Sequence, residues 1–516
     1  MADAGPPFDA TPLLRAWCAA RMRGLNAAAA DPAGTQERLL LRMVRRAART
    51  RFGREHGFGL VRSVRDYQAR VPLRDWAAFW EAYWRAAHPV VEDATWPGRV
   101  PYFALSSGTT SGNTKRIPVS REAVMANRGA ALDVLAFHLA HHPRSRVFGG
   151  LSFLLGGSTD LAEVAPGVRE GDLSGIAAAE VPRWIAGWSF PPREVALMAD
   201  WDAKLDALAA RAPVGAVRML SGTPSWLLVL MDRLARRHGR AVPMPGLELL
   251  VHGGVAWSPY RDRLAPYLPP GCATREVYPA SEGFLAVADA GDGEGMRLVL
   301  DRGVFHEFVP LGELGSASPA RHWAATVETG VEYAVVVTSN AGLWSYVLGD
   351  TVRFVSTAPP RVLVAGRTAY TLSAFGEHLS GGELDAALAG ASAACGVAVA
   401  EWCAGPVFEG AAGRHLWFVE PVASGAAGEA PPDLAPRLAA DLDARLREAN
   451  ADYAAHRDGA QLLAPAVRLL PPGAFEAWMR ARGKLGGQHK VPRVLADPER
   501  FGELVAWAEG ANAGRD

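Results

Sequence analysis

Val100-Pro101-Tyr102-Phe103-Ala104-Leu105 runs directly into Ser106-Ser107-Gly108-Thr109-Thr110-Ser111-Gly112-Asn113-Thr114-Lys115, and Arg116-Ile117-Pro118 follows. The first six residues read as a strand. The next ten form a polar loop, and Ser120 is a suitable N-cap for a helix predicted to reach about His141. Placed between a strand and a helix, the loop offers what a polyphosphate needs: backbone amides that can be approached closely, hydroxyl donors and a positive charge. It is not a Walker loop, because its glycine-to-lysine spacing differs and neither Ser nor Thr follows Lys115.

Working outward, residues 35–90 have helical periodicity, with Leu39, Leu40, Met43 and Ala47 on one apolar face and arginines opposite. Beyond the loop, short apolar strands alternate with helical stretches: 147–155, 216–220 before the helix at 224–237, and 247–251 before the helix at 259–267. That alternation predicts parallel strands joined by crossover helices. From Arg275 to Val364 the pattern becomes mostly strands, read as antiparallel sheet closing a large domain. Past Gly366 the periodicity restarts with a helix near 382–394, strands near 397–402 and 415–419, and a long helix over 433–453. The expected fold is therefore α/β. It has a large N-terminal domain, residues 1–366, of mixed sheets with crossover helices and a β-rich part. A smaller, mobile α+β domain follows over residues 367–516, with nucleotide in the cleft between the two.

Composition narrows the function classes. The 516 residues are 49% hydrophobic and 21% charged, with 54 basic side chains against 54 acidic ones. A balanced chain has no net field for a nucleic-acid backbone or an anionic membrane. The first residues carry aspartates and few apolar side chains, the reverse of a signal peptide, and no apolar run approaches the ~18 residues of a membrane span. A cytoplasmic protein, monomeric or weakly homodimeric, is expected. Four dispersed cysteines fit neither a disulfide framework nor a structural zinc site. Lysine occurs only at 115, 204, 484 and 490, so each retained lysine is a candidate for a role that arginine's planar fork cannot fill.

Three further segments carry chemistry. Tyr278-Pro279-Ala280-Ser281-Glu282-Gly283 puts a carboxylate on a turn between strands, suited to Mg²⁺ beside phosphates. Trp344-Ser345-Tyr346-Val347-Leu348-Gly349-Asp350 reads as a strand ending in Gly-Asp, whose carboxylate would accept both ribose hydroxyls. Gly483-Lys484-Leu485-Gly486-Gly487-Gln488-His489-Lys490-Val491-Pro492-Arg493 sets two lysines on a glycine-rich loop. His138, His141 and His142 have metal-capable spacing but no carboxylate or cysteine nearby, so they are read as a helix end where cationic side chains suit the dipole. Nucleophile-elbow, HExxH and dinucleotide-binding glycine motifs do not occur.

Taken in order, these segments resemble the GH3 family, the acyl-acid amido synthetases of the adenylate-forming superfamily. Ser106 to Pro118 resembles the family's phosphate loop, Tyr278 to Glu282 its Tyr-x-Ser-Glu element, Ser345 to Asp350 part of its Tyr-Arg-x-Gly-Asp element, and Gln488 to Arg493 its late Gln-x-Lys-x-Pro-Arg. Weaker echoes extend over nearly the whole chain. The resemblance implies a ligase that uses ATP and Mg²⁺ to convert a carboxylic acid to an acyl adenylate and then passes the acyl group to an amine, such as an amino acid. The alternatives are transfer to coenzyme A, or a nucleotide-binding protein with a decayed site.

By the same resemblance, Ser106, Ser107, Gly108, Thr109, Thr110, Ser111, Gly112 and Lys115 hold phosphates, Glu282 holds Mg²⁺, and Asp350 holds ribose. Tyr278, Ala280 and Ser281 border the adenine and acyl site, and Lys490 meets the α-phosphate. Fold analogy adds Arg128, Leu132 and Trp226 as lining for the acyl group. The chain departs from the family at Trp344-Ser345-Tyr346, where an aromatic followed by arginine is usual. A positive charge near the nucleotide is then missing. It departs again at Thr368-Ala369-Tyr370, where charged residues are usual.

Overall fold

A computed structural model describes residues 8–513 apart from 107–114, 157–160, 182–184, 199, 255–256, 369–370, 373, 378, 410–411, 423–430 and 483–490. The chain divides into two compact units. One runs to Ser106 and continues through Lys115–Trp257 and Leu264–Thr368; the other gathers Ala369 onward together with Ser258–Arg263. That excursion was read from sequence as part of a crossover helix. Its Tyr260 donates a 3.0 Å hydrogen bond to the Ala374 carbonyl and sets its ring edge-on against Phe408, which ties it to the second unit.

The first unit opens with helices α1 (Thr11–Ala30) and α2 (Pro32–Ala47). Helix α2 forms as its periodicity predicts: Asp31 caps its start and Leu39, Leu40, Met43, Val44 and Ala47 are buried on one face. Strands β1 (Tyr102–Ser106) and β2 (Lys115–Val119) follow, then α3 (Arg121–His141), capped by the Ser120 hydroxyl. Here the structure corrects the sequence reading, because β1 and β2 pair antiparallel with Ser106 opposite Lys115. A second strand, Lys115–Val119, therefore precedes the helix. Ile117 and Val119 are β-branched and bury inward, and Pro118 is tolerated because β2 is the edge strand of its four-stranded sheet.

Among the described residues, twelve strands form one continuous sheet in this unit. Its parallel part includes β3 (Leu151–Leu155), β4 (Val217–Gly222) and β5 (Leu249–Gly253), joined in that order to β6 (Ala273–Ala280). The run at 147–155 begins as a short 3₁₀ turn before β3 starts. Its antiparallel part includes β7 (Gly283–Val287), β8 (Val304–Pro310), β9 (Glu332–Ser339), β10 (Leu343–Thr357) and β11 (Pro360–Arg367). The two patterns meet at β6, which pairs parallel with β5 and antiparallel with β7. The antiparallel stretch expected to close the large domain is thus the continuation of the crossover sheet.

Strand β10 corrects a second reading. It does not end at Gly349-Asp350 but runs on to Thr357, with Gly349 at φ +99°, a left-handed conformation that favours glycine. Its start is embedded in aromatic side chains. Trp344 is fully buried, lies 4.7 Å from Phe58 in an edge contact, and donates from Nε1 to the Thr95 carbonyl at 2.8 Å. The segment between α2 and β1 thereby folds onto β10.

The second unit contains α4 (Gly381–Cys395), the antiparallel pair β12 (Val399–Glu409) and β13 (Ala412–Pro421), and helices α5 (Leu434–Ala449) and α6 (Ala451–Asp458). The long helix expected over 433–453 is broken at Asn450, which leaves helical geometry and caps α6 through its side chain. Leu434, Leu438, Leu442 and Leu446 pack one face of α5 into a core with the stacked pair Trp402 and Trp417. Among the described residues no helix is long and apolar enough to cross a membrane.

Replacing Trp344 by alanine should remove about 3–5 kcal/mol of stability, the usual cost of truncating a buried large aromatic. Urea titration followed by circular dichroism checks it, and an unchanged midpoint would refute the role given to this contact.

Candidate active site

Four chain segments bring polar side chains to one place in the first unit. The hairpin β1–β2 supplies Lys115 at the first residue of β2. The tight turn between β6 and β7, with Ala280 opposite Gly283, presents Ser281 and Glu282. Strand β6 supplies Tyr278, and β10 supplies Tyr346 and Asp350. Glu282 is 8% exposed. Burial pushes its carboxyl up, the Lys115 ammonium pulls it back down, the charge on Asp350 raises it, and the neighbouring Tyr346 lowers it. Tyr278 donates its hydroxyl to Oδ2 of Asp350. Lys115, Tyr278, Glu282 and Asp350, singled out in three separate motifs, therefore share one electrostatic environment.

Sequence reasoning quoted Tyr346 without giving it a part in the site, although its place in the Trp344–Asp350 motif was a signal. It also passed over the polar layer beside Tyr278. There His252, near the end of β5, stacks on Trp257 at 3.7 Å and bonds Asp292 at 3.0 Å, and Asp292 in turn accepts from the Glu276 amide at 2.7 Å. His252 faces Glu276 in the parallel register, two residues from Tyr278 along β6. Burial, then the neighbouring Asp292, push the Glu276 carboxyl up to about 7.

Other predicted residues lie elsewhere. Ser107, Gly108, Thr109, Thr110, Ser111 and Gly112 lie outside the described residues, as do Lys484 and Lys490. Arg128 pairs with Glu180 at 3.9 Å and donates to its backbone carbonyl. Leu132 packs against the core cluster that includes Val134, Val277 and Val287, the surroundings of a core residue. Trp226 sits half-buried in the first turn of helix Pro224–His238. Lys204 is buried and donates to the Ala196 carbonyl at 2.8 Å, and burial pushes it down to about 8; its retention reflects packing within the unit.

The histidines correct a further reading. Helix α3 does end at His141, but His138 is almost fully buried and burial pushes it down to about 3, so it is neutral and interacts with no dipole as a cation. It bonds the Ser145 hydroxyl at 2.9 Å instead.

Ser345 occupies an unforeseen setting. It is fully buried at φ +48°, and its hydroxyl lies 2.6 Å from the Arg321 guanidinium and 3.0 Å from both Glu307 and the Tyr67 hydroxyl. The Arg321 guanidinium beside it is paired with the buried Glu307 carboxylate at 2.7 Å.

The donors at the site suit a small hard cation. Among the described residues no three His, Cys, Asp or Glu side chains converge as a complete metal cage. A pair of carboxylates beside an ammonium, one of them buried and pushed up, matches the way Mg²⁺ is held by one or two carboxylates together with substrate phosphates and water.

Solved structures place this fold in a class. The chain superposes on the GH3.15 acyl acid amido synthetase with a TM-score of 0.57, covering 94% of this chain and 95% of that one at 18% identity. It superposes on a 2-hydroxyisobutyryl-CoA ligase, solved with 2-HIB-AMP and CoA, with a TM-score of 0.55, covering 93% and 94% at 18% identity. These likenesses define a shared fold.

Residues 21–207 match the GH3 family N-terminal domain, 297–367 its central domain and 382–499 its C-terminal domain, and the chain belongs to the GH3 family. It is 30% identical over 215 residues to a probable indole-3-acetic acid-amido synthetase, GH3.9, of Oryza sativa subsp. japonica, covering 39% of this chain and 48% of that protein. It is 28% identical over 269 residues to the indole-3-acetic acid-amido synthetase GH3.8 of Oryza sativa subsp. indica, covering 49% of this chain and 44% of that protein. The matches span less than half the length of these curated relatives.

The raised Glu276 carboxyl yields a prediction with a definite sign. In the folded state it holds its proton more tightly than the ordinary value of 4.5, so stability falls as pH rises from 4.5 through about 7. Glu276→Gln should therefore raise stability by roughly 1–2 kcal/mol at pH 8, allowing for screening at a half-buried site, and change little at pH 4. Melting temperatures of both proteins at the two pH values test this; an equal shift at both would refute it.

Proposed function

We infer that this protein is an ATP-dependent acyl acid amido synthetase. In the first half-reaction a carboxylate oxygen of the acid attacks the α-phosphorus of ATP, the bond to the β-phosphate oxygen breaks, and pyrophosphate leaves an acyl adenylate. In the second, an amine nitrogen attacks the acyl carbon, the carbon–oxygen bond to AMP breaks, and the amine loses a proton as the amide forms. An amino acid is the preferred amine, in keeping with the names of the rice relatives. The compartment is the cytoplasm, an assignment supported by balanced charge and unpaired cysteines.

The observation that carries the reading is the convergence of Lys115, Glu282, Tyr278 and Asp350 from separate motifs onto one spot. Phosphoryl transfer requires positioning and neutralised charge more than covalent help from the protein. Lys115 offers a compact ammonium to phosphate oxygens. Asp350, whose Oδ2 accepts from the Tyr278 hydroxyl, would accept the ribose hydroxyls. Glu282 would hold Mg²⁺, which when bound neutralises phosphate charge. The loop 107–112 would add amide and hydroxyl donors, and Lys490 would meet the α-phosphate, roles that rest on family resemblance.

Glu282→Gln should lower pyrophosphate release on the order of 10²-fold and raise the Mg²⁺ needed for half-maximal rate, the scale of losing one electrostatic stabiliser. The assay offers aromatic, aliphatic and amino acids with ATP and Mg²⁺, with amino acids or coenzyme A as acceptor. Amide product supports the reading. Thioester product with no amide would replace it by acyl-CoA ligation, and ATP binding with no turnover on any acid would leave a binding protein.

Lys490→Arg should depress pyrophosphate release at least ~10-fold with little change in ATP affinity, because the charge at the α-phosphate builds in the transition state and a guanidinium fits poorly there. Full turnover in that variant would remove Lys490 from the mechanism.

A further inference from the structure

Three strands of the crossover sheet set one row of residues side by side: Gly222 on β4, His252 on β5 and Glu276 on β6. Glycine brings no side chain. His252 is fully buried and lies against the Trp257 ring at 3.7 Å. Glu276 alone of the three puts a polar side chain at a half-exposed position. Residues two apart on a strand share a face, so Glu276 stands about 7 Å along β6 from Tyr278, whose hydroxyl donates to Asp350. Arg275, the neighbouring cation on β6, turns to the opposite face. There it is buried and donates to the carbonyls of Ala288 at 2.7 Å and Asp289 at 2.5 Å.

Two carboxylates meet beside this row and are treated oppositely. Asp292, on the segment after β7, accepts from His252 Nε2 at 3.0 Å and from the Glu276 amide at 2.7 Å. Burial alone would raise it, yet the His252 bond holds it below its ordinary value, so it keeps its charge. The Glu276 carboxyl has neither a hydrogen-bond nor an ion-pair partner among the described residues. Its backbone is pinned on both sides, the N–H by Asp292 and the carbonyl by the Ala288 amide at 2.7 Å. The titratable groups that face it are Asp292, His252 and, along the strand, Tyr278, and the imidazole among them is committed to Asp292. Burial and then the Asp292 charge push the Glu276 carboxyl up to about 7. Where neighbouring acids have environments that drive their proton affinities apart, one stays charged and the other exchanges a proton near neutral pH.

We propose that, given the amido synthetase reading on which this rests, the Glu276 carboxylate receives the proton of the attacking amine in the second half-reaction. The nitrogen lone pair forms the carbon–nitrogen bond, the acyl carbon–oxygen bond breaks, and its electrons leave on the phosphate oxygen of AMP. The N–H proton passes to a Glu276 oxygen and then to solvent. Adenylation needs no such acceptor, because the attacking carboxylate carries no proton. Loss of the Glu276 charge therefore separates the two half-reactions.

The test compares full-length wild type with Glu276→Gln. Adenylation is read as acid-dependent exchange of labelled pyrophosphate into ATP with benzoate, phenylacetate, hexanoate and glycine. The acyl adenylate formed on the enzyme from the fastest of these is then mixed, in a single turnover, with the standard amino acids or with hydroxylamine, a strong nucleophile that is already neutral at pH 7. Glu276→Gln should slow amide formation from amino acids at least ~10-fold more than it slows exchange, and should slow hydroxamate formation by less than ~3-fold. The ratio of wild-type to variant amide rates should rise with pH and level off above about 7, since only the ionised carboxylate accepts a proton and titration of the amine cancels in the ratio.

An amide rate untouched by the substitution overturns the assignment. So does a ratio that stays flat with pH, or hydroxamate formation lost to the same degree, either of which makes Glu276 a structural contact. Because the variant is expected to be more stable than wild type at pH 8, a loss of rate there is not a loss of fold. A wild type that exchanges pyrophosphate with none of the acids overturns the synthetase reading and this assignment with it, whereas exchange followed by an amide step independent of Glu276 overturns the assignment alone.

Discussion

The first unit depends on how β10 is held. Its opening residues are pinned by the aromatic cluster around Trp344 and by the bonds that Arg74 exchanges with Ser345 and Val347. The helical segment before β1 is thereby clamped to the sheet. A strand secured at this end can carry a left-handed glycine at 349 farther along and still present Asp350 to Tyr278. The aromatic packing around Trp344 and the placement of Asp350 thus share one anchored strand.

Charge in the interior follows a consistent rule. Glu307 is answered by Arg321, and Asp133 by Arg21 and Arg302. In the second unit the buried Glu377 carboxylate accepts from the Ala374 and Phe375 amides and lies 2.8 Å from His415 Nε2. Each of these buried carboxylates has directed partners that offset its desolvation. Glu282 departs from this pattern: burial raises it beyond what Lys115 restores, and Asp350 adds repulsion.

Much of the site is legible in the sequence. Lys115, Tyr278, Glu282 and Asp350 stand out because phosphate, metal and ribose chemistry demands particular residue types beside turns, and those demands appear as short local patterns. The alternation of apolar strands and helices likewise announces the crossover part of the sheet. Harder to read is anything set by partners distant along the chain. The hairpin at 106–115 reads as the entrance to a helix until β1 is seen to pair with Lys115. The break at Asn450 is hidden because the apolar periodicity continues across it.

The sequence by itself determined which residues are chemically able to act and that the chain builds an α/β unit followed by an α+β one, because periodicity and residue chemistry are local properties. Tertiary structure decided which side chains meet. It joined the parallel and antiparallel strands into one sheet at β6, made His138 neutral by burying it, assigned Leu132 to the core, and brought Arg321 to Ser345 across 24 positions of chain. Those outcomes depend on desolvation and on pairing between distant segments, and neither quantity is defined until the chain has folded.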